Sequence, residues 1–199
     1  MSSHGVAGGR DPASGRTRPD DEAQLIERIR ARDLRAFEAL YRRYHPRLTR
    51  FLTNLIHRPQ LVEEVLDDTL MVVWNRPDSY NGSSRLSTWI FAIGYRKALK
   101  ALSRYDDPIE DAQAERRPSG EPGPDHQLGR RQAQCALLDA MRQLSPDHRA
   151  VVDLTYFHEI GYREIAEIME CPVDTVKTRM YYARRHLKRV LPGALADWL

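Results

Sequence analysis

The sequence has very few cysteines, and the two it has are far apart. Of its 199 residues only Cys135 and Cys171 are cysteines, and no CxxC spacing occurs. A disulfide framework or a cysteine-rich zinc site needs more cysteines at closer spacing, so both are excluded, and the composition fits a reducing compartment. We expect both thiols to be buried.

Long apolar runs are also missing. The N-terminus has no apolar signal-peptide core, and the longest apolar runs, such as residues 89–94, are too short to cross a bilayer. We therefore expect a cytoplasmic protein with no membrane insertion.

Neither strand-like alternation nor an internal repeat is visible, so the expected fold class is all-α, with two helical domains.

Catalytic and cofactor motifs are absent as well. There is no GxGxxG and no GxxxxGK followed by Ser or Thr, and His158-Glu159 lacks the second histidine of HExxH. No Ser, His and acid grouping stands out, and His158 is expected at the surface or in a turn. These absences predict a protein that is not an enzyme, with no catalytic residue, metal or cofactor.

Composition along the chain predicts the domain organisation. Residues 1–20 are rich in Gly, Ser, Pro and Arg, which predicts a disordered tail. Residues 106–127 are acidic, contain four prolines and show no apolar periodicity, which predicts a flexible linker. The helical modules then occupy residues 21–105 and 128–191, and residues 192–199 form a C-terminal tail.

Apolar residues at three- and four-residue steps predict the helices of the first module. Such stripes occur within residues 25–29, 37–44 and 48–56, and Pro46 implies either one kinked helix or two helices meeting there. A further helix opens at Pro59, with Glu63 and Glu64 expected in its first turn.

The rest of the first module is a turn followed by a helix. Pro77 ends the preceding helix, and residues 78–84 are dense in turn-forming residues. The last helix is predicted from about Leu86 to Arg104. Its Arg96, Lys97, Lys100 and Arg104 form a basic stripe, with three aromatic residues in or near it: Tyr80, Trp89 and Tyr95.

A basic stripe interleaved with aromatics is typical of a surface that binds single-stranded nucleic acid. Cationic side chains follow the backbone, and aromatic faces stack on exposed bases. Trp89 has an alternative interpretation, because aromatic residues on helices are usually part of the core.

The second module ends in a predicted helix-turn-helix. Ser145 and Pro146 are the N-cap and first residue of one helix, and two shorter helices follow Gly161, split by residues 170–172. Small Ala166 lets the last two helices cross closely, while Val176, Met180 and Ala183 are expected to face inward.

Charge makes the last helix a candidate DNA reader. Residues 172–191 contain six Lys or Arg against one acid, Asp174. The N-terminal part of the helix is expected to face base edges in the major groove, through Asp174, Thr175, Lys177, Thr178 and Arg179. The C-terminal cations are better placed for phosphates: Arg184, Arg185, Lys188 and Arg189. The alternative is a solvated basic face without function.

Taken together, the two modules resemble the extracytoplasmic-function group of bacterial sigma factors. The stretches AFEALYRRYHPRLTRFL, EEVLDDTLMVVW and STWIFAIGYRKALKAL resemble region 2 of that family. The stretch LSPDHRAVVDLTYFHEIGYREIAEIMECPVDTVKTRMYYARRHLK resembles its region 4. The resemblance implies a protein that binds core RNA polymerase, recognises the -35 and -10 promoter elements and promotes DNA melting.

The resemblance also implies a role for particular residues. The face expected against the clamp helices of the largest polymerase subunit comprises Asp67, Asp68, Met71, Trp74 and Asn75. The surface expected to recognise the -10 element and the melted strand comprises Tyr80, Asn81, Gly82, Ser83, Ser84, Arg85, Ser87, Thr88, Trp89, Arg96, Lys97 and Lys100. The expected -35 reader comprises Val173, Asp174, Thr175, Lys177, Thr178, Arg179, Tyr182, Arg184, Arg185 and Lys188. An anti-sigma factor is a further implied partner.

Some positions depart from the family pattern. Asp67 stands where Gln is common, Leu70 where Phe is common, and Val72 where a basic or polar residue is common. Asp174 stands where Gly is frequent, and it is expected either to cap the reading helix or to alter the preferred bases.

Two rival functions fit parts of the sequence. A dimeric helix-turn-helix regulator with a sensing N-terminal module accounts for residues 161–189 but leaves the loop at residues 80–85 and its basic helix unexplained. An enzyme fits least.

The predicted linker, residues 106–127, could reach ~75 Å when extended, about two turns of duplex, so two separated promoter elements are within range.

Overall fold

The structure is a computed structural model that describes residues 19–105 and 136–191. The predicted linker and C-terminal tail, most of the N-terminal tail, and Cys135 lie outside these residues. Within the described ranges the chain is helical and contains no strand, which confirms the all-α prediction. The first group of helices is α1 (Pro19–Arg30), α2 (Leu34–Ile56), α3 (Pro59–Asn75), a short 3-10 turn η1 (Pro77–Ser79) and α4 (Leu86–Tyr105). The second group is α5 (residues 136–142), α6 (Pro146–Tyr156), α7 (Tyr162–Ile168) and α8 (Val173–Val190).

The first helix begins slightly earlier than expected. α1 starts at Pro19, so the predicted tail of residues 1–20 is two residues too long. Proline suits the first turn of a helix because its missing N–H would have no helical partner there. Asp33 then caps α2, with its carboxylate accepting hydrogen bonds from the backbone N–H groups of Arg35 (2.9 Å) and Ala36 (3.3 Å).

Pro46 lies inside a single helix. α2 runs without a break from Leu34 to Ile56, which settles the choice between one helix and two. Pro46 and Arg42 are both exposed, so the Arg42 carbonyl that loses its helical donor is on the solvent side. On its other side α2 buries a row of apolar residues that includes Leu40, Leu48 and Phe51.

α3 and α4 complete the first core. α3 begins at Pro59, and no acid lies in its first turn, so the placement of Glu63 and Glu64 there was wrong. Gly94 of α4 lies where α2 and α3 approach closely. A β-carbon at this position would lie 3.5 Å from Leu48 Cδ2 and 3.7 Å from Thr69 Oγ1.

The second group forms the predicted helix-turn-helix. Ser145 caps α6, with its hydroxyl accepting a hydrogen bond from His148 N at 3.5 Å, and Pro146 is the first helical residue, as predicted. α7 has 7 residues but α8 has 18, so α8 is not a short helix. Ala166 is buried at the crossing, and Val176, Met180 and Ala183 face the core as predicted.

The two groups pack against each other, α2 against α6 and α4 against α7. Buried Arg149 joins them, because its Nη1 donates to Leu55 O at the end of α2 (2.7 Å). The same guanidinium donates to the carbonyls that end α5, at Met141 (3.0 Å), Arg142 (3.0 Å) and Leu144 (2.8 Å). Burial lowers the pKa of Arg149. One side chain thus satisfies the carbonyls at the ends of two helices from different groups.

The His158 side chain is buried at this interface, in the bend after α6, so the prediction of a turn position holds and that of a surface position was wrong. Its side chain is 3% exposed, and its ring lies against Phe51 (6.1 Å between centroids) and Phe91 (4.9 Å) of the first group. His158 Nε2 lies 3.1 Å from Asp153 Oδ1, and Asn54 donates to Asp153 Oδ2 at 2.6 Å. A histidine that looks like a turn residue within its own module is thus enclosed by the other one.

Candidate nucleic-acid and polymerase surfaces

The first turn of α8 is arranged differently from the prediction. The residue before the helix is Pro172, and no side chain caps it, so the N-cap interpretation of Asp174 was wrong. Asp174 lies within the first turn, where Lys177 Nζ is 2.8 Å from its carboxylate. The hydrogen bond and positive charge of Lys177 lower the pKa of Asp174.

α8 presents a basic, aromatic outer face. The exposed predicted residues on it are Asp174, Lys177, Thr178, Tyr182, Arg185 and Lys188, while Val173, Thr175, Arg179 and Arg184 are half-buried. Arg184 Nε donates to the Tyr156 hydroxyl at 2.9 Å, which holds its guanidinium against α6. Tyr181 on this face is 61% exposed, and its ring lies 5.4 Å from that of Tyr182.

Arg179, one of the candidate base readers, is held by its own module. Its guanidinium forms an ion pair with Asp147 of α6, and Nη1 lies 3.6 Å from Cys171 Sγ. The Arg179 side chain is only 24% exposed. Cys171 is half-buried, although the sequence analysis expects it to be buried.

The loop between η1 and α4 is shaped by Tyr80. Tyr80 is 8% exposed, its hydroxyl donates to Ser84 O at 2.7 Å, and burial raises its pKa. Asn81 Oδ1 accepts hydrogen bonds from Ser83 N (3.0 Å) and Ser83 Oγ (2.7 Å). Gly82 has a φ of +74°, a conformation that favours glycine. The loop tip, residues 81–83, is therefore exposed on a fixed support.

The start of α4 divides its predicted residues between surface and core. Arg85 is exposed and Ser84 and Ser87 are half-buried, whereas Thr88 is 2% exposed and would have to move to touch DNA. Trp89 is half-buried with its ring 5.3 Å from that of Tyr80, so it supports the loop.

The basic stripe of α4 is occupied by acidic partners. Arg96 forms an ion pair with Glu170, which follows α7, and Lys97 Nζ lies 2.8 Å from Asp68 of α3. Lys100 is exposed. Tyr95 is buried, and its hydroxyl donates to Asp147 at 2.7 Å, so it is not free to stack on a base. Burial, followed by the bond to Asp147, raises the pKa of Tyr95.

The predicted polymerase face lies on the outer side of α3. Asp67, Asp68, Met71 and Asn75 are exposed, and Met71 is 52% exposed. Trp74 is half-buried, with its ring 5.0 Å from that of Phe37. Leu34, one turn before Phe37 on α2, is 68% exposed and was not identified from the sequence.

Residues 19–105 and 136–191 contain no group of three or more His, Cys, Asp or Glu side chains that could hold a metal ion. In the same residues no helix is long and apolar enough to span a bilayer.

Comparison with known proteins separates the chain into the same two parts. Residues 40–107 match the family model "Sigma-70 region 2", and residues 136–187 match "Sigma-70, region 4". The two matches occur in chain order, one on each group of helices, and together they cover more than half of the chain.

Similar whole proteins carry the same assignment. The RNA polymerase sigma-H factor of Pseudomonas aeruginosa is 26% identical over 188 residues, which cover 89% of this chain and 97% of that protein. The ECF RNA polymerase sigma-E factor of Haemophilus influenzae is 26% identical, with coverage of 82% and 92%. Among solved structures, the sigma factor RpoE of Bartonella quintana, crystallised with the anti-sigma factor NepR, aligns with a TM-score of 0.63 and 23% identity, covering 79% of this chain and 97% of that one.

The fold and both family matches agree with the motifs in the sequence, and the match extends over most of the chain. The chain therefore belongs to the extracytoplasmic-function group of the sigma-70 family.

Proposed function

We propose that this chain is an alternative sigma factor that binds core RNA polymerase, recognises the -35 and -10 promoter elements and promotes DNA melting. The observation that carries the proposal is the pair of sigma-70 matches, which fall in order on two helix groups, the second ending in the basic helix α8. A lone helix-turn-helix regulator would not explain the first match.

In this proposal the first helix group, residues 19–105, contacts polymerase and the -10 element. The polymerase face is the outer side of α3, where exposed Met71 and half-buried Trp74 are flanked by Asp67, Asp68 and Asn75. Central apolar side chains with a polar rim are typical of protein interfaces. Leu34 is also exposed, one turn before Phe37, whose ring packs on Trp74.

The melting surface is the loop tip at residues 81–83 with the cations of α4. The exposed loop backbone and small polar side chains offer hydrogen bonds to a base outside the duplex, and Arg96, Lys97 and Lys100 attract the strand backbone. Unstacking a base costs a few kcal/mol, which binding of the melted strand offsets. No chemical step of its own is required, so polymerase supplies the catalysis.

The second helix group, within residues 128–191, reads the -35 duplex through α8. The N-terminal half of α8 faces the base edges, and Arg184, Arg185 and Lys188 contact phosphates. An anti-sigma factor is a further partner, as in the complex reported for the Bartonella protein. Such a protein works in the cytoplasm, where promoter DNA and polymerase are found.

The proposal is tested by separating polymerase binding from DNA opening. We expect Arg96→Ala with Lys97→Ala to reduce permanganate-sensitive opening of promoter DNA by polymerase more strongly than it reduces binding of the free chain to -35 duplex. Met71→Ala should instead weaken binding to core polymerase. Val190→Ala, which truncates an exposed apolar residue at the end of α8, is the matched control. Two results count against the assignment. One is an equal loss of promoter opening and of -35 duplex binding in the Arg96 and Lys97 variant. The other is unchanged polymerase binding in Met71→Ala.

A further inference from the structure

A cleft of about 390 Å³ lies between the two helix groups, and the proposed function gives it no role. Arg47 and Arg50 of α2 form part of its lining on one side. On the other side it is lined by the segment that follows α6, through Phe157, His158 and Glu159. Small-molecule sites have volumes of about 300–1,000 Å³, so the cleft is large enough for a small ligand that touches both helix groups.

The two arginines of the cleft have no hydrogen-bond acceptor in the part of the chain that the structure describes. Neither the Arg47 nor the Arg50 guanidinium donates a hydrogen bond or forms an ion pair there. Arg42, on the same helix, differs because it pairs with Glu38 at 2.6 Å. Arg47 is half-buried, so its charge is partly removed from water and no carboxylate offsets the cost. An anion in the cleft would supply the missing acceptor.

Aromatic rings hold both guanidiniums in place. Arg47 Cζ lies 5.9 Å from the ring centre of Tyr44 and 5.5 Å from that of Phe91. Arg50 Cζ lies 4.5 Å from the ring centre of Phe157, which belongs to the second helix group. A ring that stacks on the flat face of a guanidinium leaves the N–H groups at its edge available. Because the side chains are already positioned, a ligand loses less binding energy to ordering them.

The spacing of the two arginines favours a ligand with two linked phosphate groups. Positions three residues apart on a helix are neighbours, with about 5–6 Å between their β-carbons. Each guanidinium presents paired N–H donors that match two oxygens of one phosphate. Two adjacent phosphates can therefore satisfy Arg47 and Arg50 together, whereas the two oxygens of a carboxylate match only one guanidinium in this way.

Glu159 makes the cleft a poor path for a nucleic-acid strand. It is exposed, lines the cleft, and forms no ion pair with the described residues. A strand running through the cleft would bring phosphates past this carboxylate, and like charges repel. A compact diphosphate can instead remain between the two arginines, so the charges of the cleft favour a small anion.

We propose that this cleft binds a small anion with two linked phosphate groups, an inorganic or a nucleotide diphosphate, through the guanidiniums of Arg47 and Arg50. Since Arg50 stacks on Phe157 of the second helix group, the bound anion also stabilises the packing of one group on the other. Neither arginine has a role in the proposed function, and the anion site is independent of whether the chain is a sigma factor.

Binding is measured by isothermal titration calorimetry of the full chain with inorganic pyrophosphate, in a chloride buffer at fixed ionic strength. The cleft variant is Arg47→Gln with Arg50→Gln, and the control is Arg35→Gln with Arg42→Gln. Both variants lose two positive charges from α2, but Arg35 and Arg42 do not line the cleft. We expect saturable binding to the unmodified chain, at least about tenfold weaker binding in the cleft variant, and a change within about twofold in the control.

Two further variants separate the geometry of the site from its charge. Arg47→Lys with Arg50→Lys keeps the net charge but loses the paired donors, so it should also bind pyrophosphate more weakly. Phe157→Leu removes the ring that holds Arg50 and should weaken binding with no change of charge. Circular dichroism shows whether each variant is folded, and the lysine variant replaces the glutamine variant if that one is not.

Thermal unfolding provides a second measurement. Pyrophosphate should raise the unfolding midpoint of the unmodified chain and of the control but leave that of the cleft variant unchanged, because a ligand stabilises the folded state that binds it. Titrations with ADP and GDP identify the source of the phosphates. Affinity equal to that of pyrophosphate means that the phosphate pair alone is recognised, and higher affinity means that the ligand is a nucleotide.

Three results would overturn the proposal. The first is the absence of saturable pyrophosphate binding to the unmodified chain. The second is equal pyrophosphate affinity in the cleft variant and the control, because net charge alone would then explain the binding. The third is a short single-stranded oligonucleotide that binds through Arg47 and Arg50 although pyrophosphate does not, which would make the cleft a nucleic-acid contact.

Discussion

His57 shows how one residue connects local conformation to the packing of the modules. It ends α2 in the left-handed region, at φ 59°, and its backbone N–H donates to Thr53 O. Burial, together with the charges of Arg149 and Arg142 from the second helix group, lowers its pKa from 6.5 to about 4. The folded protein therefore favours the neutral imidazole of His57.

The pH dependence of stability follows from that shift. Between pH 6.5 and about 4 the unfolded chain holds a proton on His57 that the folded chain does not. The free energy of unfolding is therefore highest above pH 6.5 and falls as the pH drops towards 4. His148, whose pKa is lowered mainly by burial, acts in the same direction. Urea unfolding at several pH values should show this slope, and His57→Asn, which keeps a residue tolerant of positive φ, should flatten it. An unchanged slope in His57→Asn contradicts the role of His57.

The two kinds of arginine on α8 should give different binding phenotypes. Arg179 lies in the N-terminal half of the helix, and Arg179→Ala should change the bases selected from a random duplex library. Arg185 is exposed and placed for phosphate, so Arg185→Ala should reduce the slope of log affinity against log salt by about 1 with the preference kept. Arg142→Ala removes an equal charge from α5 as a control. Identical base preference in Arg179→Ala and the unmodified chain would refute this division.

At the scale of helices, Gly94 is a position where stability can be gained. The β-carbon of an alanine would make ordinary contacts with Leu48 and Thr69, at 3.5 Å or more. Glycine inside a helix loses more conformational entropy on folding than alanine. Gly94→Ala should therefore raise the free energy of unfolding by about 0.5–1 kcal/mol, measured by urea denaturation.

A glycine in a different conformation is the control for that substitution. Gly82→Ala should destabilise the protein, because φ at this position is +74° although nothing lies within 4 Å of an added β-carbon. A loss of stability in Gly94→Ala would mean that the three helices cannot separate slightly to accept a methyl group.

The helices themselves were predictable because their signals are local. Apolar periodicity gave α4 and the inward residues of α8, and the Ser145-Pro146 pair gave the start of α6. The errors also have local causes. The pattern around Pro46 cannot show that α2 continues, since proline removes one hydrogen bond while the packing on both sides of it persists. Aspartate is a residue type favoured at the N-cap, but Asp174 is the second residue of the helix.

At the scale of the whole molecule, the packing of one module on the other was not predictable. Arg149 and Leu55 are 94 residues apart, and a pair at that distance leaves no periodic trace in the sequence. The acidic, proline-rich segment between the modules pointed to separation instead. For the same reason the sequence predicts Tyr95 as a candidate stacking residue, although its hydroxyl donates to Asp147, and it allows a surface position for His158, whose side chain is buried against Phe91.

The site residues divide in the same way. Exposure of Met71, Lys177, Arg185 and the loop at residues 81–83 agrees with their predicted roles as contact residues. Burial of Thr88 and pairing of Arg96 and Arg179 depend on the tertiary arrangement, and no motif in the sequence shows them. The assignments of individual residues to DNA or polymerase stay predictions until variants are measured.

Whether the chain directs core RNA polymerase to promoters is measured by mapping transcription start sites. Core RNA polymerase is incubated with fragmented bacterial genomic DNA, with or without the full chain, and the 5′ ends of the transcripts are sequenced. If the chain is a sigma factor, a new set of start sites should depend on it and share two short sequence elements, near -35 and near -10. The same start sites with and without the chain, or chain-dependent starts that share only one element, would contradict the sigma assignment.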